Sequence, residues 1–593
     1  MRDYRSDTIY FVVVDRFFDG DADNNTGKDD DFDPSRTEWW TYWGGDLSGL
    51  IAKLDYIRSQ GASALWITPV FDQVDGVVPI GGARMAPYHG YWAKDFKRLD
   101  EHLVDDPADV RVFARGDTVF DRLVRELHAR DMRLVLDIVC NHSNPNAAGG
   151  RGELYDDGVL IASYDDDRGD WYRREGGVVD WNDLEDVQTH DLAGLADFDE
   201  ETYAYRKYIK DAMRGWLDKG VDALRCDTVK HMPLWFWQEF TGDMAAHKPD
   251  LFAFGEWFQG GCWDPAAVEF ANKSGMTILD FAWRNAVVGA LAQGSARGLR
   301  DVVDVVERDS RFHDATTLVT FVDNHDLPRF LTLADDPDRF RVAVLLTMVA
   351  RGIPCLYYGG EQLLHCDIGG GNDPYNRPMM SSFEPTALGR DIARLAALRR
   401  RSPAIQKAGM RTKWIDDDRW VFSRPYLGSG AVVGVNRSND DADLPVEALE
   451  LADGRYDDEL GGAALDVLGG KATVHVPARG IVVYGHVAAL PRGTATIDAV
   501  VHGISTQPGE DVYLCGDAPE LGAWDINRAV RLEYIDRATW AGTFAMDATA
   551  GRPVLYKYLA RRPGRRVLRE PGRAHRRHVV EAGYDCWRDL WRE

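Results

Sequence analysis

The stretch "GVDALRCDTVKH", residues 220–231, begins as a buried strand and ends in groups that are costly to bury. Arg225 and Asp227 are two residues apart, so strand alternation puts them on one face, with Cys226 on the other. Elsewhere, apolar runs end in the same kind of residue: Asp137, Asn141 and His142 after one, Glu256 after a second, His325 and Asp326 after a third. Three of these carboxylates, Asp227, Glu256 and Asp326, at three strand ends with no metal-ligand spacing beside them, suit retaining glycoside hydrolysis. That reaction needs a carboxylate nucleophile and a protonated acid roughly 5 Å apart. A further carboxylate can hold sugar hydroxyls, histidines can donate to them, and an arginine beside the nucleophile favours its ionised form. No Gly-x-Ser-x-Gly elbow, His-Glu-x-x-His zinc motif or Walker loop offers a competing chemistry.

Positioning these groups takes a scaffold that gathers strand ends. The runs "TIYFVVVDRF", "ALWITPV", "RLVLDIVCNH", "GVDALRCDT", "LFAFGEW", "MTILDF", "TLVTFVDNHD" and "IPCLYYGGE" alternate with helix-length amphipathic stretches over about 400 residues. The pattern predicts an α/β fold, a (β/α)8 TIM barrel over residues 1–402, whose catalytic groups sit at the C-terminal strand ends. An open doubly wound sheet competes, but no glycine-rich phosphate loop follows any strand. The Asp-, Gly- and Asn-rich segment at about 143–202 is too long for a loop and predicts a subdomain inserted after strand 3. Two all-β domains should follow: a β-sandwich at 403–488 and, after a linker at 489–496, a terminal β-domain at 497–593.

The motifs "DIVCNH", "GVDALRCDTVKH", "FGEW" and "FVDNHD", in this order and preceded at strand four by "LADFD", resemble the signature regions of the α-amylase family, glycoside hydrolase family 13. The further stretches "APYHGYWAKDF", "KHMP", "FANKSGMTILDF" and "YYGGEQ" look most like the branch holding cyclodextrin glucanotransferases and related amylases. The resemblance implies Asp227 as nucleophile, Glu256 as general acid/base and Asp326 as transition-state stabiliser. It also implies that Arg225, His142 and His325 line the subsite of the cleaved sugar and that Tyr91 stacks on its ring. His89, Trp92, Lys230 and Phe258 match neighbouring substrate contacts, and Asp373 and Arg377 of "NDPYNR" a pair further toward the non-reducing end.

"DGDADNN" puts Asp19, Asp21, Asn24 and Asn25 close together, a hard-oxygen set that suits Ca²⁺. It partly mimics an EF-hand loop, but it lacks the sixth-position glycine and the twelfth-position glutamate, and it follows a strand. The resemblance implies calcium here, aided by Gly44 and Asp46. It implies a second ion at Asn141, Asp197 and His231, with a main-chain carbonyl near Gln188, pinning the inserted subdomain beside the cleft.

Hydrolases and cyclising transferases share one covalent intermediate. In the cyclising branch a Tyr or Phe precedes the "LAD" motif, whereas "DLAGLADFD" has Ala193 there. The short linker also leaves no room for the extra β-domain of those transferases. Both departures lead the sequence reading to an α-1,4-glucan hydrolase, with glucanotransferase as the alternative and a non-catalytic glucan-binding protein as a remote one.

The C-terminal "VYLCGDAPELGAWD" and "VLYKYL" resemble a family 20 starch-binding module, with Trp524 stacking on glucan and Lys557 beside it. Arg569 stands where a second tryptophan is expected.

Bulk composition agrees with a polysaccharide enzyme. There are 96 acidic against 70 basic residues, a net charge of −26 that repels phosphate backbones and anionic membranes, and 19 tryptophans suited to sugar rings. The arginine-rich run near Arg561 to Arg577 is the local exception. Starch, glycogen or maltooligosaccharides are the expected partners, acting on a monomer. The seven scattered cysteines show no disulfide framework. The N-terminal stretch has no signal-peptide form, yet a starch-binding module favours secretion, so compartment stays open between the two.

Overall fold

In a computed structural model, residues 3–25, 31–80, 82–145, 151–562 and 564–592 are described. Eight parallel strands carry the first part of the chain: β1 (Ile9–Val12), β2 (Ala64–Ile67), β3 (Arg133–Ile138), β4 (Ala223–Cys226), β5 (Phe252–Gly255), β6 (Thr277–Ile278), β7 (Val319–Phe321) and β8 (Ile353–Tyr357). They follow in the order β6-β5-β4-β3-β2-β1-β8-β7. A parallel bridge from Leu279 to Val319 joins β6 to β7 and closes the ring. Each run named from the sequence holds one barrel strand.

The strands are apolar on both faces because helices cover the outside while side chains fill the inside. Among the covering helices, α1 (Leu47–Ser59) is capped by Asp46, and α2 (Val119–Ala129) starts in a Thr118–Asp121 capping box. Helix α3 (Tyr203–Asp218) and helix α4 (Leu234–His247) flank β4 in sequence, and α5 (Ala387–Arg401) returns after β8.

The inserted layer draws on more chain than the segment after β3. Its sheet runs Phe71–Gln73, Ala93–Leu99, Leu154–Asp156, Val159–Ala162, so half of it comes from the connection after β2. A hairpin as short as Leu154–Ala162 is marginal alone and gains partners from that second connection. Residues 146–150 of the expected subdomain lie outside the described residues.

Beyond the barrel, a short helix Pro403–Lys407 leads to an antiparallel sheet, Arg411–Ile415, Arg419–Tyr426, Ser429–Asn436 and Gly480–His486. One face of it, including Trp420, Phe422, Val433 and Val483, joins the barrel's own core. The terminal β-domain starts at Ala495, inside the segment read as linker, and has a separate core around Ile497, Val512, Trp540, Tyr556 and Trp587. It docks on the barrel's N-terminal side through buried charge. Asp498 accepts from Lys407 Nζ at 2.6 Å, Tyr584 OH at 2.9 Å and Arg5 Nη2 at 2.5 Å. Arg588 reaches Asp314 at 3.2 Å on the same seam.

Candidate active site

Main-chain bonds extend the barrel ladder past the strand ends and fix where the carboxylates emerge. Asp227 N donates to Ile138 O at 2.9 Å, and Glu256 N to Cys226 O at 2.8 Å. Register places Arg225 beside Asp137 on one side and Phe254 on the other. The guanidinium, fully buried, then forks. Its Nη1 lies 2.7 Å from Asp227 Oδ1 and 2.8 Å from Asp137 Oδ1, and its Nη2 lies 2.9 Å from Glu256 Oε2. Thr228, directly after Asp227, adopts a left-handed φ of 47°, a costly conformation for a β-branched residue.

Electrostatics separate the carboxyls by role. Burial pushes Glu256 up to about 7; Arg225 opposes this and Asp227 adds to it through a hydrogen bond between the two carboxyls. Burial also raises Asp227, with Arg225 lowering and Asp326 raising it further. The arginine therefore offsets desolvation of the nucleophile position but does not outweigh it, contrary to the simple expectation from adjacency. The hydrogen bond between the two carboxyls lowers Asp227 and raises Glu256, so a proton shared by the pair favours Glu256. Asp326 is pushed up to about 8 by burial and by Glu256, against Arg377.

Around this centre the expected subsite residues converge. Tyr91 OH donates to Asp137 Oδ2 at 2.8 Å and lies 2.8 Å from His325 Nε2, the two rings nearly parallel. His142 Nε2 is 3.2 Å from Tyr91 O, and His89 Nδ1 accepts from Tyr91 N at 3.0 Å. Burial drives His89 and His325 well below their usual range, so these rings are neutral hydrogen-bonding groups. Arg377 bridges Asp373 at 3.0 Å and Asp326 at 3.5 Å. Lys230 lies half-buried, four residues past the strand end at Cys226, and Phe258 is 44% exposed. Trp92 is packed into an apolar cluster with Val74, Val78 and Leu195, its face toward solvent small. Trp524 and Lys557 belong to the terminal domain, not to this cleft; Trp524 is exposed, and Lys557 Nζ donates to the carbonyls of Glu570 and Gly572.

Asp137 stands among the strand-end groups of the sequence but was assigned no role there, and Trp66 was not among the expected site residues. Trp66 Nε1 donates to Asp137 Oδ2 at 3.0 Å, so this carboxylate organises Arg225 and Tyr91 together. The sequence signal was its place at the start of "DIVCNH"; its role follows from the register that pairs it with Arg225.

The candidate cation ligands fall into two places. In the first, Asp46 accepts from Asn24 Nδ2 at 3.1 Å, Asn25 Nδ2 donates to Asp19 Oδ2 at 2.9 Å, and the Asn25 amide packs against Gly44. Asp21 N donates to Asp46, burial pushes Asp46 up to about 6, and Asn24 Oδ1 is a buried acceptor without a partner. In the second, Asn141 Nδ2 donates to Asp197 Oδ2 at 2.9 Å, leaving Asp197 Oδ1 buried and unpartnered, with His231 nearby. The Gln188 carbonyl there accepts from Arg173. Among the described residues neither place gathers three His, Cys, Asp or Glu side chains, so an ion would depend on amide and main-chain oxygens. The orphaned acceptors fit a hard cation of that kind.

A closed (β/α)8 barrel whose strand ends present carboxylates around a buried arginine has the build of a barrel enzyme with its chemistry at the C-terminal face. Residues 11–419 match the alpha amylase catalytic domain, and residues 496–588 match a starch binding domain. The chain belongs to the α-amylase family. It is 32% identical over 594 residues to a cyclomaltodextrin glucanotransferase of Klebsiella oxytoca, covering 92% of this chain and 88% of that one. With a cyclomaltodextrin glucanotransferase of Niallia circulans it shares 36% over 472 residues, covering 77% of this chain but only 63% of the relative. Among solved structures, CldA, described as a cyclomaltodextrin glucanotransferase with a three-domain ABC distribution, superposes with TM-score 0.76 at 35% identity, over 82% of this chain and 99% of CldA. An alpha-amylase from Geobacillus thermoleovorans complexed with acarbose gives 0.68 at 28%, over 82% and 99%.

Proposed function

We propose that the protein is a retaining α-1,4-glucan transferase of the cyclomaltodextrin glucanotransferase kind. The observation that carries it is the Arg225-centred carboxylate cluster on a chain alike along 92% of its length to an enzyme of that name. Asp227 attacks the anomeric carbon while Glu256 gives its proton to the departing sugar oxygen, leaving a glucosyl ester on Asp227. Glu256, now charged, takes the proton of the incoming hydroxyl as that oxygen displaces Asp227. Asp326, braced by Arg377, holds sugar hydroxyls through both steps, and Tyr91, His142 and His325 shape the subsite.

Hydrolysis, with water as acceptor, is the second reading, and Ala193 favours it: a methyl group offers no ring on which a glucan can curl. The missing extra β-domain no longer argues for it, since CldA is described as a transferase with three domains. Calcium would be held by Asp19, Asp21, Asn24, Asn25, Gly44 and Asp46, and by Asn141, Gln188, Asp197 and His231, where its charge would compensate buried carboxylates. Starch or maltooligosaccharides are the substrates, acted on by a single chain. The starch-binding module supports a secreted enzyme, and no helix among the described residues is long and apolar enough to cross a membrane.

Chromatography of products from soluble starch over time tests the reading. Cyclic and disproportionated glucans ahead of reducing sugar support transfer; reducing ends accumulating from the first minutes without cyclic products would reverse the order of the two readings. Unchanged activity in Asp227→Asn would sink the mechanism for both.

A further inference from the structure

The arginine-rich run that the cleft does not use lies on the terminal module, and strand register sorts part of it, Arg561, Arg569 and Arg576, onto one face. In the sheet Val530–Arg531, Asp511–Gly516, Pro553–Arg561, Leu568–Arg569, with His575–His578 also on Pro553–Arg561, directly opposed residues share a face. Tyr513 opposes Leu559, which opposes Arg569; Cys515 opposes Lys557; Leu555 opposes Arg576. Alternation adds Arg561 to the same face, where its guanidinium stacks 4.6 Å from the Tyr513 ring. At the end of the strand Asp511–Gly516, Trp524 N bonds Gly516 O at 2.7 Å. Ala523 and Trp524 both hold left-handed φ, 50° and 65°, in a turn that leaves Trp524 45% exposed.

The positive charge on this face is not neutralised within the module. Arg569 and Arg576 are exposed and make no ion pair among the described residues, and the same holds for Arg565, Arg566 and Arg573 in the adjoining turns. Of the nearby carboxylates, Glu570 pairs with His575 and Arg592, Asp589 with Arg577, and Asp511, on the same face opposite Arg561, with Arg531. This concentration stands on a molecule of net charge −26, which otherwise repels anions. Guanidinium forks match phosphate oxygens geometrically, and the exposed indole at the Gly516 end of the same sheet offers a sugar-stacking surface.

We propose that the Trp524–Arg569–Arg576 face binds α-glucan carrying phosphate monoesters, in preference to the neutral polymer. The inference rests on the module's being a glucan-binding domain of a glucan-active enzyme. The ring stacks on Trp524 while the ester's charge meets Arg569 and Arg576, so the interaction is steep in salt.

The test uses the full chain as Asp227→Asn, so that the polymer is not consumed, and a phosphomonoester-bearing amylopectin before and after phosphatase treatment. Both polymers present the same neutral chains to the cleft, so the difference reads the phosphate. Affinity electrophoresis at low salt is expected to show the phosphorylated polymer bound about five-fold tighter or more. The preference disappears in high salt and in Arg569→Gln/Arg576→Gln, while that double variant on the parent chain keeps its turnover of maltoheptaose. Equal binding to the two polymers overturns the inference, as does competition by duplex DNA as strong as by the phosphoglucan. No binding to either polymer, with no turnover by the parent chain, would overturn the proposed function as well.

Discussion

Arg225 Nη1 stands 2.7 Å from Asp227 Oδ1, two residues along the same strand face, and the other arm of the guanidinium stands 2.9 Å from Glu256. One buried cation thus touches both carboxyls that the reaction needs in opposite protonation states. Replacing it by Arg225→Gln removes the group that lowers both, so both limbs of the pH profile of kcat/KM move to higher pH. The maximum should fall by about 10³-fold, roughly 4 kcal/mol of transition-state stabilisation. A profile that drops without moving would show that Arg225 positions the carboxyls without tuning them.

The Glu256 carboxyl, pushed up to about 7, must be protonated to release the first sugar. Activity on maltooligosaccharides should therefore hold below about pH 7 and decline above it as the free enzyme loses that proton. Glu256→Gln should lose nearly all activity on glucans yet retain its first step with α-glucosyl fluoride, whose leaving group needs no proton. A pre-steady-state burst of fluoride, set against the lost rate on glucans, checks this, and absence of the burst would remove the acid role from Glu256.

Much of this site was legible because strand ends carry its chemistry in consecutive residues. The run around Asp227 shows its face by alternation alone, and barrel closure requires only that eight such runs alternate with helices. Asp137 was passed over because its importance lies in a neighbouring strand: only the register that pairs it with Arg225 reveals the shared guanidinium. Trp92 reads as a ligand contact by motif, and the structure adds a packing role against Val74, Val78 and Leu195 beside the His89 ring. The connection after β2 supplies half of the inserted sheet, a pairing between distant segments that no local pattern encodes. Desolvation was equally hidden: charge adjacency is visible in sequence, whereas the burial that outweighs it at Asp227 is not.

Chelation should separate the proposed calcium places from the catalytic machinery. Asn24 Oδ1 and Asp197 Oδ1 are buried acceptors lacking partners, and an ion satisfying them stabilises the native state. A chelator should lower the thermal midpoint and added calcium restore it, worth about 2.7 kcal/mol for an ion at a hundred times its Kd. Asp197→Ala should abolish the part of that response arising beside the cleft, and Asp46→Ala the part arising at the first loop. Calorimetric scans with and without calcium read it directly; identical scans would remove both ions.

Asp498 joins the module to the barrel's base through Arg5 and Lys407, all three buried. Asp498→Asn keeps the shape but leaves two cations sharing Asp3, which lies 2.8 Å from Arg5 and 3.5 Å from Lys407. Breaking a buried pair in this way costs about 3–5 kcal/mol. Urea unfolding followed by tryptophan fluorescence should show an earlier first transition, with turnover of maltoheptaose in native buffer unchanged. A transition at the parent's urea concentration would mean that the apolar seam, including Val500, Ile535 and Ala541, carries the docking instead.

Ala193 decides how far the covalent intermediate is passed to a sugar hydroxyl on the same chain. Its φ is 52°, and it precedes Gly194 in the inserted layer, just ahead of the Leu195–Asp197 stretch whose Asp197 bonds Asn141 beside the cleft. A side chain there has to tolerate a left-handed backbone, which Ala193 already does, so Ala193→Tyr adds a ring at little further backbone cost. An aromatic surface at this place gives a long glucan something to wrap around, lowering the entropy that its far end must lose to reach the ester. The variant should release a several-fold larger cyclic fraction and fewer reducing ends from soluble starch, at similar total bond cleavage. Ring-size analysis of early products against the parent measures it. An unchanged cyclic fraction would place the control of acceptor choice elsewhere along the cleft and leave the small residue without influence on it.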